Sequence, residues 1–228
     1  MWSLLRNLHR FFVNQLFYPL VLSSLLAMAI FTGRVLLSHS LEFDNLPWNL
    51  FLAWVPYLFS LLAVTLQRLF PRQWLLLVIP VGLWLIFYPN AAYIVTDFLH
   101  LEQRPGIPLW YDILLLAAFS WTGMFLAIAS LGAVQGLVKE YLGSFAGWLF
   151  AAIALGLSGL GIYLGRFGRW NSWDLLFQPK NILKDIALAL INPFENRTFF
   201  GFTILITAFL VVCYLMFISV RQSKEPDL

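Results

Sequence analysis

Charge is what this chain has least of. Only 11% of its 228 residues are Asp, Glu, Lys or Arg, while 61% are apolar and the mean hydropathy is +0.82, a balance no water-soluble domain can hide in its core. Cysteine is nearly missing as well. The lone Cys213 excludes an internal disulfide and a cysteine-rich metal site. No phosphate-binding loop, nucleophile elbow, zinc-protease helix motif or dinucleotide fingerprint occurs. The 14 basic residues outnumber the 11 acidic ones but are scattered, so no nucleic-acid partner is expected. Nor is any polar stretch long enough to form a separate soluble domain with its own core.

What the chain does have is long apolar runs, each near the ~20 residues that cross a bilayer as a helix. They lie near residues 16–37, 48–66, 73–88, 110–135, 143–165 and 199–220. The first exceeds a signal-peptide core of about 7–15 residues and reads as a retained helix. Pro80 and Gly82 predict a kink in the third, which is expected to stop at Pro89 and Asn90. The fifth carries Gly143, Gly147, Ala151, Ala154, Gly156, Gly159, Gly161 and Gly165, a pattern for close packing that predicts it as the central helix. Between the last two runs, Pro179 starts a segment in which Ile182, Leu183, Ile186, Ala187 and Leu190 share a face opposite Asn181, Lys184 and Asp185, as in a helix lying on the membrane. The expected fold is therefore all-α. It is a polytopic transmembrane helical bundle of six spans with one short interfacial helix, and residues 1–228 form a single integral membrane domain.

Six crossings place both ends on one side. Lys and Arg are evenly divided between the two sides, but five of those opposite the termini belong to the one connection from Arg166 to Thr198. The other connections and the first helix favour cytoplasmic termini. Crossing parity also shows where the polar residues meet. Asn90, Asp97 and His100 after the third span, Asp112 at the start of the fourth, and Arg166, Arg169, Asn171 and Asp174 after the fifth all fall at one membrane surface.

Two chemistries are conceivable there. Asp97 and His100 are three apart, so on a helix a carboxylate can orient an imidazole for acid–base work, or both can ligate a divalent ion. A metal would need a third ligand from Asp112 or Asp174, and pairing of Asp97 or His100 with Arg166 or Arg169 is the default against it. The residues by themselves name neither a metal nor any other cofactor. Arg166 and Arg169, with Trp170 and Trp173 beside them, suit an anionic headgroup at the interface. The plainer reading is snorkelling arginines, belt tryptophans and neutralisation by Asp174 or Asp112. Asp112 is expected to pair with Arg166 or Arg169, and Arg34, near the end of the first span, to snorkel.

The stretches YPNAAYIVTDFLHL, then Trp110-Tyr111-Asp112, then GIYLGRFGRWNSWD, in this order, resemble the bacterial family named domain of unknown function 1361. The resemblance covers most of the chain and implies a multi-pass protein of the bacterial plasma (inner) membrane. It implies no activity, substrate or catalytic residue. The candidate site thus consists of Asp97, His100 and Asp112 for acid–base work and Asn90, Arg166, Arg169, Trp170, Asn171, Trp173 and Asp174 for ligand binding. Membrane lipids are the expected surroundings and an anionic, lipid-linked substrate the expected ligand. The alternatives are a non-catalytic scaffold or assembly partner that docks another membrane protein through the interfacial helix and, less favoured because the span centres are uncharged, a small-molecule permease.

Overall fold

The computed structural model describes residues 2–104 and 106–222; the end of the polar tail, with Lys224 of the charge count, lies outside the described residues. Nine α-helices occur among the described residues. They are α1 (Trp2–Asn14), α2 (Phe17–Ser38), α3 (Asn45–Leu69), α4 (Leu75–Tyr93), α5 (Leu109–Leu142), α6 (Ser144–Phe167), α7 (Asp174–Phe177), α8 (Pro179–Ile191) and α9 (Arg197–Gln222). A 3₁₀ helix, Ile94–His100, continues α4. The helices α2, α3, α4 with its 3₁₀ extension, α5, α6 and α9 are long and apolar enough to cross a membrane. The expected all-α, six-span architecture is the observed one. Many large apolar side chains, such as Leu22, Ile79, Ile204 and Leu205, face outward, as lipid-facing positions do.

The central helix is α5 and not, as the glycine pattern predicts, α6. In α5, 67% of the most apolar stretch is buried, against 39% in α6. It packs on α2, α3, α4, the 3₁₀ helix and α6. Glycines govern how closely a helix is approached, not how many neighbours surround it. On α6 they serve single close approaches: Gly159 against Thr203 and Thr207 of α9, and Gly161 against the ring of Pro89. Polar side chains add cross-links inside the bundle, with Ser23 Oγ 2.6 Å from Thr122 Oγ1 and Trp54 Nε1 donating to Ser24 Oγ.

The third span does not stop at Pro89. The helix runs through Pro80 and Pro89 to Tyr93 and then tightens into the 3₁₀ helix. Proline inside a helix removes a donor and crowds the preceding turn, yet it is tolerated in a membrane bundle where neighbours accommodate it. Here Pro89 abuts Gly161, a position where a β-carbon would collide with its ring. This continuation carries Asn90 and Asp97 inside the packed bundle instead of onto an open loop.

Two surface helices complete the fold. The basic N-terminal stretch forms α1, a separate amphipathic helix. The interfacial helix α8 forms where expected, but its inward residues are Ile182, Ile186 and Ala189, while Leu183 and Leu190 point outward. The inward residues follow i, i+4, i+7 spacing, and the outward leucines suit contact with lipid.

Candidate functional site

The polar residues at one end of the bundle separate into two clusters and a cavity. In a 3₁₀ helix residues three apart eclipse one another, so Asp97 and His100 stand along one edge. Arg166, in the last turn of α6, meets that edge. Its Nη2 donates to Asp97 Oδ1 at 2.6 Å, its Nη1 lies 2.8 Å from His100 Nε2, and its Nε donates to Thr96 Oγ1 at 2.8 Å. The guanidinium also lies over the Tyr93 ring, 4.5 Å from its centroid. From α3, Asn49 Nδ2 donates to Asp97 Oδ2 at 2.9 Å and Asn45 Nδ2 approaches Oδ1. Asp97 is fully buried with both oxygens engaged, and Arg166 has donated on every nitrogen. The pair ties α3, the 3₁₀ helix and α6 together.

Asp112 does not join this cluster. It is buried against Arg34 of α2, with Arg34 Nε donating to Asp112 Oδ1 at 2.7 Å. Arg34 Nη2 also donates to Glu42 Oε2 at 2.8 Å, and that oxygen accepts a second bond, again at 2.8 Å, from Arg104. The expected pairing of Asp112 with Arg166 or Arg169 is therefore corrected, and so is the snorkelling of Arg34. A charge near the end of an apolar helix faces either water or a partner inside the bundle, and here the partner is present. Phe43 lies beneath both guanidiniums, at 4.8 Å from Arg34 and 4.6 Å from Arg104. Hydrogen bonds from Arg34 first, and then the Arg104 charge and bond, hold the Glu42 carboxyl below the usual carboxylate range.

Asp174 is not a neutralising partner for the arginines either. Its Oδ2 accepts the backbone N–H of Asn171 at 2.7 Å and so closes the turn before α7. With Asp112 and Asp174 both engaged elsewhere, no third ligand reaches Asp97 and His100. Among the described residues no three His, Cys, Asp or Glu side chains converge.

Beside the Asp97–Arg166 cluster lies a cavity of about 600 Å³ between α3, α4 and α6, covered by the α6–α8 connection. Its deeper lining is apolar, with Leu52, Leu85, Ile86, Leu157, Leu160 and Leu164, and its rim is polar, with Asn49, Asn90, Arg169, Trp170, Asn171 and Ser172. Trp173, a predicted ligand contact, also lines it, whereas Asp97, His100, Arg166 and Asp112 do not. Asn90 Oδ1 accepts from Ser172 Oγ at 3.1 Å, and its buried Nδ2 has no acceptor. Trp170 Nε1 donates to Asp185 Oδ2 at 2.9 Å and so fastens α8 over the opening. Arg169 is exposed and makes no ion pair among the described residues. Its φ of 57° is left-handed, a conformation that costs a residue with a β-carbon about 1–2 kcal/mol.

Several of these contacts involve residues that sequence reasoning passed over. Asn45 and Asn49 are four apart at the start of α3, so one helical face presents both amides, and that spacing was a usable signal. Thr96 and Tyr93 carried none, because hydroxyls and aromatic rings are common in apolar spans.

No curated protein and no solved structure matches the chain. A family model described as a protein of unknown function does match, over residues 48–213, which contain both halves of the Asp97–Arg166 cluster and all of the cavity lining. A match of that extent shows that the chain belongs to this family, DUF1361.

Proposed function

We propose that the protein binds an anionic, lipid-like amphiphile, its charged head at the Arg169 rim and its apolar part along Leu52, Leu85, Leu157 and Leu160. The observation that carries this reading is the cavity itself. An apolar slot between spans opens at the interface onto an arginine in a strained backbone conformation and onto an asparagine N–H, which among the described residues have no ion pair and no acceptor respectively. Strain of that kind persists where the surrounding structure imposes it, often at ligand sites. A planar guanidinium suits a phosphate or carboxylate head. Trp170 and Trp173 belong at the headgroup level.

Within this reading Arg166 and Asp97 are positioning residues, since their hydrogen-bonding capacity is already used in joining α3 to α6. Binding, rather than acid–base chemistry at Asp97, is what such a saturated carboxylate supports. With cytoplasmic termini the rim lies at the outer face of a bacterial inner membrane, the compartment we propose for it.

The test is lipid retention by the purified full chain, read by native mass spectrometry in phosphatidylglycerol and in phosphatidylcholine. Saturable retention of the anionic lipid by the wild type, lost in Arg169→Glu while the protein stays folded, supports the reading. Equal retention by both proteins overturns it. Retention of a protein partner with no bound lipid would favour the scaffold role instead.

A further inference from the structure

A second cavity, of about 300 Å³, lies at the opposite end of the bundle. Helices α3, α5 and α9 run in the same direction through the membrane, and Arg68, Glu140 and Arg221 in their last turns reach this end. Arg169 follows a helix of the reverse direction, so the two cavities face opposite membrane surfaces. Asn14, the last residue of α1, and Gln15, which follows it, close the remaining side together with Gln67.

The floor of this cavity is unusual for a membrane helix. Ala129, Gly132, Ala133 and Gly136 form one face of α5 at i, i+3, i+4, i+7 spacing. Small residues in membrane helices normally admit a neighbouring backbone, as Gly159 does with α9. Gly136 does not: a β-carbon there would meet nothing within 4 Å, and one at Gly132 would meet only the Tyr214 hydroxyl at 3.9 Å. The space freed by these residues is the cavity, and no other helix enters it among the described residues.

The charges that the described residues place around that space are not balanced. Arg68 and Arg221 make no ion pair among the described residues, while Glu140 accepts a hydrogen bond from the neutral Gln67 at 2.6 Å. Among the described residues, two arginines against one glutamate leave one positive charge in excess in the lining. Arg68 is backed by the Phe11 ring, 4.7 Å from its centroid, which supports the guanidinium on one face and leaves its N–H edges free.

We infer that this cavity binds a phosphate group, held by Arg68 and Arg221, with Asn14, Gln15 and Gln67 as neutral partners. Two guanidinium forks and several amides match the many acceptor oxygens of a phosphate better than those of a single carboxylate. That group is either the headgroup of a phospholipid or free phosphate, and the site is independent of the one at Arg169.

The experiment uses the full chain purified in detergent. Inorganic phosphate and, separately, short-chain phosphatidylglycerol are titrated against the wild type, the double variant Arg68→Gln/Arg221→Gln, and Gly136→Leu, with the thermal unfolding midpoint as readout. Gly136→Leu keeps both arginines, improves helix propensity and fills the space, so it decides the matter even if the double variant folds poorly. A saturable upward shift in the wild type, with binding at least about tenfold weaker in Gly136→Leu and in any folded double variant, supports the site. A shift with phosphate identifies the free anion, and a shift with phosphatidylglycerol alone identifies the headgroup. No shift with either probe, or unchanged binding in Gly136→Leu, overturns it. Arg169→Glu, measured in parallel, reports on the other cavity alone: its failure to alter lipid retention would leave this inference standing.

Discussion

Removing Asp112 tests the interior electrostatics of the bundle most severely. The side chains of Arg34 and Asp112 are 0% and 1% exposed, and Arg34 Nε lies 2.7 Å from the carboxylate. Asp112→Ala would leave a guanidinium buried near the end of α2 without its closest counter-charge, a change that costs about 3–5 kcal/mol in a packed interior. Two features place the expected loss near the lower end of that range. Arg34 Nη2 keeps its 2.8 Å bond to Glu42, and the Phe43 ring still lies against the guanidinium. On the other side of the balance, Nη1 already has no acceptor and gains none. Replacing both charges, as Arg34→Met/Asp112→Leu, removes the desolvation cost along with the attraction and is expected to recover most of the loss. The assay is denaturant unfolding of the detergent-purified single and double variants. A loss of about 3 kcal/mol for Asp112→Ala, largely recovered in the double variant, is the expected outcome. A single variant within about 0.5 kcal/mol of wild type, the range of ordinary surface changes, would refute the claim that the pair is buried.

Three further outcomes follow from the same geometry. Asp97→Ala strips Arg166 of its carboxylate and leaves the Asn45 and Asn49 amides without an acceptor, so a loss of about 3 kcal/mol is expected in the same unfolding assay. Gly159→Leu, which drives a side chain into Thr203 and Thr207, should detach α9 from α6, seen as protease sensitivity in the α8–α9 connection. Glu42 has a folded-state pKa below its unfolded value. Its contribution to stability is therefore present above the ordinary glutamate value of about 4.3 and is lost as pH falls through the lower folded value. The stability gap between wild type and Glu42→Gln should be open at pH 7 and close in acid below the carboxylate range; a gap independent of pH would remove Glu42 from the Arg34–Arg104 bridge.

The spans were legible because twenty-residue apolar runs leave few alternatives, and crossing parity then assigned each polar stretch to a rim. Parity does not assign partners. It placed Asp112, Arg34, Arg166 and Arg169 at one surface, yet which guanidinium meets Asp112 depends on the packing of α2 against α5, which hydropathy does not encode. The end of the third span was misjudged for a related reason. Proline is a strong local signal, and its acceptance at Pro89 rests on Gly161, seventy-two positions away in the chain. Helix α1 is readable in principle, since Leu5, Leu8, Phe11 and Phe12 recur at helical spacing. The cavity was not readable at all, because the α8 cover and the walls from α3, α4 and α6 meet only in the folded bundle.

The central claim is that the Arg169 side chain serves a ligand and not the fold, and Arg169→Gly measures both halves at once. Glycine adopts the left-handed conformation at φ 57° without the β-carbon penalty. The variant should therefore unfold at equal or higher denaturant, by about 1 kcal/mol, while losing saturable retention of phosphatidylglycerol. A variant that is destabilised, or that holds the anionic lipid as well as the wild type does, would contradict the account.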